Sequence, residues 1–172
     1  RPLWSDIKPL INKCGLRDYG ISHKVELMER PFEIPHELFP YQSNWYDVDG
    51  IPIHYIDEGR GPVLLLLHGN FMWSFSYRRL IAELSKSYRC VSIDLAGMGM
   101  SGKPHALVHG NYKYTYLEQS HIVGSVITAL DLSDITFLSF DHGGPIGFGV
   151  MTSSPDRFSR IIVANSWAWS CH

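Results

Sequence analysis

One aspartate of this 172-residue sequence lies where a predicted strand turns into a predicted helix, in the segment Ser139-Phe140-Asp141-His142-Gly143-Gly144. Small residues stand two positions before Asp141 and two positions after it. A strained turn called a nucleophile elbow needs such neighbours, because strand and helix pass close together and the central side chain projects above the sheet. A carboxylate there predicts displacement at a saturated carbon, giving an ester that water then hydrolyses. The alternative is an aspartate that only caps the helix.

A second candidate element, His68-Gly69-Asn70, directly follows an apolar run that predicts a buried strand. A turn at this point can aim a backbone N–H at a group bound above Asp141. Together with the N–H of His142, it would make a two-donor site for an anion. The Asn70 side chain offers a third donor. The alternative is local, because Gly and Asn form turns without needing any further function.

A parallel sheet is needed to bring these segments together, and the pattern of short apolar runs predicts one. The predicted strands are Trp45–Val48, Ile51–Ile56, Val63–Leu67, Cys90–Leu95, Ile135–Ser139 and Ile161–Asn165, and the predicted helices are 77–84, Tyr116–Leu130 and Gly143–Met151. This alternation is typical of the α/β class, a mostly parallel sheet with helices on both faces. Asp49-Gly50 between the first two strands predicts an antiparallel hairpin. Ligands of such sheets bind beyond the carboxyl ends of the strands, where both candidate segments lie.

Composition and charge narrow the class of protein. The chain has 15 Lys+Arg against 17 Asp+Glu, a net charge of −2, and 45% apolar residues, which predicts one globular domain with a sizeable core. It has no basic run with which to bind nucleic acid or an anionic membrane, so a small or neutral ligand is expected. The cysteines Cys14, Cys90 and Cys171 are far apart and lack metal-ligand spacing. They predict reduced thiols in a cytoplasmic protein without a metal or cofactor.

The two ends of the chain differ from its centre. Residues 1–40 contain an amphipathic stretch, Leu3–Ile11, followed by a proline-punctuated segment, which predicts an irregular N-terminal extension with one short helix. The sequence begins with Arg1 and ends at His172, just after an apolar stretch. We therefore expect both ends to be cuts in a longer chain.

Four motifs in the same order resemble those of the haloalkane dehalogenases of the α/β-hydrolase fold. They are residues 68–78 (HGNFMWSFSYR), 94–104 (DLAGMGMSGKP), 141–147 (DHGGPIG) and 165–169 (NSWAW). The resemblance covers about residues 40–169 and implies hydrolytic cleavage of carbon–halogen bonds in small apolar substrates, with water consumed and halide released. It implies that Asp141 is the nucleophile and that Asn70 is one of two halide-stabilising residues. His142 takes the position of the other.

The sequence also departs from this family at residues beside the predicted site. The family has Trp where this chain has His142, and Pro where it has Phe71. Phe140 and Ser139 stand where relatives usually carry His and Gly. An imidazole can still donate one hydrogen bond to an anion, although it is smaller than an indole and titratable.

The resemblance further implies a helical cap after Trp169, then strands that carry the catalytic acid and the histidine base. Neither is found in these 172 residues. We therefore expect an N-terminal extension (1–40), the first part of a hydrolase core (41–169) and the start of the cap region (170–172). The remainder would follow in a longer chain or come from a second chain, and a homo-oligomer is a further possibility. The other histidines near the sheet, His54, His68 and His121, are expected to be structural or solvated residues and not the base.

Two alternative functions remain open at this point. One is an epoxide hydrolase, which resembles this scheme in using an elbow aspartate. The other is a catalytically silent member of the fold that serves in binding or assembly, as the change at His142 and the extension suggest. The glycines of residues 97–102 resemble a dinucleotide loop, but no helix opens directly on them, which argues against a phosphate site.

Overall fold

The structure, a computed structural model, describes residues 30–104 and 112–168. Six strands form one sheet in these residues, and three α-helices pack on it. The strands are β1 (Asn44–Val48), β2 (Ile51–Glu58), β3 (Val63–Leu67), β4 (Arg89–Ile93), β5 (Ile135–Asp141) and β6 (Phe158–Ser166). The helices are α1 (Arg78–Leu84), α2 (Tyr116–Ala129) and α3 (Gly143–Ser153), and two 3₁₀ turns span Ser74–Tyr77 and Pro155–Arg157. The helix expected at 3–11, two cysteines (Cys14 and Cys171), Trp169 and His172 lie outside the described residues.

The topology confirms the predicted α/β class. The strand order is β1-β2-β4-β3-β5-β6, in which β3, β4, β5 and β6 run parallel and β2 runs antiparallel to both of its neighbours. The predicted hairpin joins β1 to β2 through Asp49 and Gly50, whose φ values are 54° and 81°. Two consecutive residues with positive φ are the geometry of the tight hairpin turn that matches strand twist.

Several strand bounds differ from the sequence prediction; β1 and β4 begin one residue earlier than predicted, and β2 runs on to Glu58 instead of Ile56. β4 ends at Ile93 instead of Leu95, and the Asp94 carboxylate that follows it accepts the Met100 N–H of the next loop at 3.0 Å. β5 runs two residues past Ser139, to Asp141 itself. β6 begins at Phe158, three residues before the predicted start, because it pairs with β5 along its whole length. Polar residues follow Phe158, so a search for apolar runs does not predict that the strand begins there.

The core lies on both faces of the sheet, as predicted. On one face α2 and α3 pack over a cluster of buried aliphatic residues; its central members are Leu65, Leu67, Val91, Ile93, Val123, Val126, Ile146 and Val150. On the other face α1 covers a smaller cluster that includes Ile81, Ile56 and Leu66. Phe39, from the segment predicted as an extension, is fully buried in this second cluster. The domain boundary after residue 40 stays a prediction.

β6 is the least covered strand of the sheet. Ile161, Ile162 and Val163 are each about half exposed, at 50%, 47% and 49%. Adjacent residues of a strand point to opposite faces, so both faces of this edge strand are open in the described part of the chain. No helix within residues 30–104 and 112–168 is long and apolar enough to cross a membrane.

The pairing of β3 with β5 brings the two candidate segments together. β3 and β5 are parallel neighbours, and Leu67 at the end of β3 pairs with Ser139 of β5. The loop that carries Asn70 therefore begins beside the turn that carries Asp141.

Candidate active site

Asp141 lies in a strained turn between β5 and α3. Its φ is 51°, a left-handed conformation that residues other than glycine rarely adopt. Ser166 at the end of β6 holds this backbone by donating its hydroxyl to the Asp141 carbonyl oxygen. A Cβ on Gly143 would lie 2.3 Å from the Leu67 carbonyl oxygen, and one on Gly144 would lie 1.9 Å from Ser166 Oγ. Neither position has room for a side chain, because the strand ends approach the start of the helix closely there. This is the packing expected of a nucleophile elbow.

Backbone N–H groups influence the Asp141 carboxyl group. The Asn70 N–H donates to Oδ1 at 2.8 Å, and the backbone N–H of His142 also lowers the pKa of the carboxyl group. Burial opposes ionisation of Asp141, but these two hydrogen bonds and the nearby His142 ring outweigh it and lower the pKa of Asp141 below its ordinary value. The side chain remains 37% exposed. The result is an ionised carboxylate that solvent and small molecules can reach.

This arrangement differs in one respect from the sequence prediction. The two N–H groups were expected to face a group bound above Asp141, whereas the Asn70 N–H donates to the aspartate's own Oδ1. The loop of Gly69 and Asn70 can approach so closely because Gly69 has no side chain: a Cβ there would lie 2.5 Å from Asp141 Cβ and 2.7 Å from Oδ1. The requirement for Gly69 was not recognised from sequence.

Asn70 presents its side-chain amide next to this carboxylate. Asn70 is partly buried, and its Oδ1 accepts the Phe71 N–H at 3.1 Å, which directs the acceptor end of the amide to the backbone. Phe71 has a φ of 55° and is 94% exposed. A proline cannot adopt this conformation, since its ring fixes φ at about −65°. The loop after Asn70 thus follows a path that the Pro of the dehalogenase motif would not allow.

The His142 ring stands over the entrance to α3 between two aromatic side chains. Its Nδ1 lies 3.1 Å from the Tyr116 hydroxyl, and its Nε2 lies 4.0 Å from Asp141 Oδ1. The edge of the ring meets Trp167, with centroids 5.3 Å apart and an interplanar angle of 82°. Asp141, Asn70 and His142 therefore come together at the carboxyl edge of the sheet, as predicted. Tyr116 and Trp167 join them, and no sequence motif had indicated the contact between Tyr116 and His142.

The sequence matches the family described as alpha/beta hydrolase fold over residues 62–170, which is more than half of the chain. This chain belongs to that family. The match includes the loop after β3, the elbow and the end of β6, so all the residues just described fall within it.

Curated relatives of this hydrolase-fold chain include dehalogenases, as the sequence resemblance predicted. Haloalkane dehalogenase 2 of Mycobacterium tuberculosis (strain H37Rv) is 37% identical over 133 residues, which cover 77% of this chain and 45% of the relative. A cis-3-alkyl-4-alkyloxetan-2-one decarboxylase of Shewanella oneidensis is 32% identical over 133 residues, covering 77% of this chain and 41% of that protein. The chain thus spans about half the length of the curated relatives it matches.

Solved structures give the same picture of the fold. The haloalkane dehalogenase DatA from Agrobacterium tumefaciens C58 superposes with a TM-score of 0.68 at 28% identity, covering 77% of this chain and 44% of DatA. The epoxide hydrolase CorEH superposes with a TM-score of 0.67 at 22% identity, covering 74% of this chain and 43% of CorEH. At that identity CorEH supports the shared fold alone.

Two further histidines of this hydrolase core, His68 and His54, are buried in its framework. His68 is fully buried and bridges two strand ends: Nδ1 donates to the Gly69 carbonyl oxygen at 2.7 Å, and Nε2 accepts the Leu95 N–H at 3.0 Å. Burial lowers the pKa of His68, in keeping with a neutral ring. His54 is buried beside Asp94, and His121 is an exposed partner of Asp49. His68 thus fixes the loop that carries Asn70, a role that sequence reasoning did not assign.

The glycine-rich loop after β4 surrounds the carboxylate of Asp94. Asp94 Oδ2 accepts the Met100 N–H at 3.0 Å, and a Cβ on Gly99 would lie 2.3 Å from the same oxygen. The N–H of Gly97 donates to the Gly102 carbonyl oxygen, which closes the loop on itself. Within residues 30–104 and 112–168, no group of three or more His, Cys, Asp or Glu side chains is placed to hold a metal ion.

Proposed function

We propose that the whole protein is a hydrolase that cleaves carbon–halogen bonds of small apolar haloalkanes, with Asp141 as nucleophile. The observation that carries this proposal is the Asp141 carboxylate, held ionised and accessible in a strained elbow by the N–H groups of Asn70 and His142. Carboxylates that attack carbon need this combination of charge, access and fixed aim. The similarity to haloalkane dehalogenase 2 over 77% of the chain supports the same reaction class.

The contacts suggest different tasks for the two carboxylate oxygens. The Asn70 N–H bonds Oδ1, so Oδ2 is the oxygen that attacks carbon and displaces halide. The Asn70 amide and the His142 ring are the donors for the departing anion. Oδ1 then becomes the carbonyl oxygen of the alkyl ester and gains negative charge when water adds to Cγ. The backbone N–H groups at the carboxyl group are already in place to stabilise that charge.

Hydrolysis of the ester also needs a base to activate water. The resemblance implies a histidine base with an acidic partner, in the half of the curated relatives that this chain does not span. The base therefore belongs to the proposal for the whole protein. Among the described histidines, His54 and His68 are buried and hydrogen bonded inside the framework.

The test is turnover by the full-length gene product with 1,2-dibromoethane and 1-bromobutane, measured as halide release. A single turnover in ¹⁸O-labelled water adds the mechanistic test, because ester hydrolysis at Cγ places one labelled oxygen in the Asp141 side chain. Mass spectrometry of the peptide that carries Asp141 should then show a gain of about two mass units. Halide release with no label in this peptide would contradict the covalent mechanism, and no halide release would contradict the function.

A second candidate is displacement of an oxygen leaving group from a strained ring, such as an epoxide or an oxetanone. The observation that favours it is His142, since an imidazole can hydrogen-bond or protonate an oxygen anion, whereas a halide leaves without a proton. The relative named as an oxetanone decarboxylase is 32% identical over 77% of the chain. Turnover of a cis-3,4-dialkyl-oxetan-2-one or an epoxide at a rate above that of 1-bromobutane would favour this second function.

Other predictions from sequence accompany the proposal. We infer no nucleic acid or membrane partner from the near-neutral charge, and a cytoplasmic location from the cysteines. Cys90 is buried and free, and burial raises the pKa of its thiol to about 11. A homo-oligomer, or a second chain carrying the remainder of the fold, stays a prediction that sedimentation of the full-length protein would test.

A further inference from the structure

We infer that Tyr116 is a positioning residue that keeps the His142 ring proton on Nε2, so that an N–H points to the Asp141 carboxylate. The inference rests on the proposed function only for its kinetic part. Its structural part concerns the resting protein and needs no substrate.

The two nitrogens of the His142 ring have different surroundings. Nδ1 lies 3.1 Å from the Tyr116 hydroxyl, and Nε2 lies 4.0 Å from the Asp141 carboxylate oxygen Oδ1. A neutral imidazole has one N–H donor and one lone pair, whereas a phenol both donates and accepts. The pair of neighbours therefore decides which nitrogen carries the proton.

Electrostatics favour one of the two arrangements. With the proton on Nδ1, the Nε2 lone pair would face the ionised Asp141 and any anion that leaves from the carbon above it. With the proton on Nε2, the positive end of the N–H dipole faces that negative charge, and the Tyr116 hydroxyl donates to the Nδ1 lone pair. The second arrangement satisfies both nitrogens and creates the donor that the proposed reaction needs.

The surrounding elements hold both rings in place. Tyr116 is the first residue of α2, directly after Thr115, whose hydroxyl accepts the Glu118 N–H while the Glu118 carboxylate accepts the Thr115 N–H. This reciprocal capping fixes the backbone that carries Tyr116. Trp167, just after β6, meets the His142 ring edge-on from another part of the sheet. The His142 ring is therefore oriented by contacts from two elements that are distant in sequence.

The first experiment reads the tautomer directly. Long-range ¹H–¹⁵N correlation spectra of the full-length resting protein should show a protonated Nε2 and an unprotonated, hydrogen-bonded Nδ1 on His142. Tyr116→Phe keeps the aromatic ring but removes the hydroxyl, so both nitrogens should move toward the averaged shifts of a mixed tautomer. Tyr88→Phe is the matched control, because Tyr88 is an exposed tyrosine that precedes β4 at the opposite end of the strands. A proton found on Nδ1 in the parent, or unchanged shifts in Tyr116→Phe, would overturn the inference.

The second experiment is a double-mutant cycle on turnover. Tyr116→Phe should lower kcat about tenfold, the effect of one lost hydrogen bond near the transition state, with little change in KM. In a His142→Trp background the same substitution should change kcat less than about twofold, since an indole has no lone-pair nitrogen for Tyr116 to bond. Equal losses in both backgrounds would mean that Tyr116 acts through general stability and would overturn the inference. If no haloalkane is turned over but the tautomer still depends on Tyr116, the proposed function fails and the positioning role stands.

Discussion

Two aspartates follow parallel strands at the same edge of this sheet, yet their surroundings prepare them for opposite tasks. Asp94, after β4, is 0% exposed and accepts hydrogen bonds from the Ser74 N–H, the Met100 N–H and the His54 ring. Asp141, at the end of β5, is 37% exposed and sits in a left-handed turn. Both have lowered pKa values: burial opposes ionisation in each case, and hydrogen bonds to the carboxylate outweigh it. A low pKa alone therefore does not identify a nucleophile in this fold.

The difference lies in access and backbone conformation. Asp94 is enclosed by the groups that bond its carboxylate. These bonds order the loop of residues 97–102 and the turn that begins at Ser74. Asp141 accepts the Asn70 N–H, and its side chain, on a strained backbone, remains partly exposed. Asp94 is thus enclosed by its hydrogen-bond partners, whereas the Asp141 side chain is accessible. The same substitution at the two positions should separate these roles.

The largest expected effect is on turnover in Asp141→Asn. A neutral amide cannot displace a leaving group, so halide release should fall by about four orders of magnitude. The free energy of unfolding should stay within about 1 kcal/mol of the parent, because the side chain is partly exposed and its donors can bond water or the new amide oxygen. Halide release and urea unfolding of the full-length protein measure both. Retained turnover with normal stability would remove Asp141 from the mechanism.

Asp94→Asn should give the opposite result. The amide N–H₂ would face a backbone N–H or the ring donor of His54, and this leaves buried polar groups without partners. Breaking a buried pair of this kind costs about 3–5 kcal/mol, which urea unfolding would measure. Asp131→Asn is the matched control, since its side chain is 93% exposed and its single ion pair contributes little. A loss below 1 kcal/mol at Asp94 would contradict the structural role assigned to it.

Much of this comparison could be predicted from sequence, and part of it could not. Apolar runs and glycine spacing predicted the sheet class, the hairpin, the elbow at Asp141 and its approach to Asn70. The pattern could not predict the contact between Tyr116 and His142, which are 26 residues apart and depend on how α2 packs beside α3. The apolar Leu117 near the start of α2 is 80% exposed, because the first turn of the helix projects beyond the core.

A smaller effect on turnover should follow from adding a side chain at Gly69, between the Asn70 loop and the turn of Asp141. A Cβ on Gly69 would push against the Asp141 side chain, so Gly69→Ala should lower kcat about a hundredfold through misplacement of the carboxylate. Gly124→Ala is the matched control. Its Cβ would meet only Val150 Cγ1, at an ordinary 3.6 Å, and alanine favours the helix by about 1 kcal/mol. Equal activity in the two variants would mean that the Asn70 loop does not set the position of Asp141.

The smallest effect concerns acid, and it tests whether Asp94 is ionised as its contacts require. A carboxylate whose pKa is lower in the folded state than its ordinary 3.8 stabilises the protein fully above pH 3.8. That contribution is lost as the pH falls through the lower folded value, because the unfolded chain takes up the proton first. The difference in unfolding free energy between the parent and Asp94→Asn should therefore stay constant from neutral pH to about pH 5 and shrink only in stronger acid. If it shrinks already near pH 6, the picture of a carboxylate held ionised by its donors would be wrong for this position.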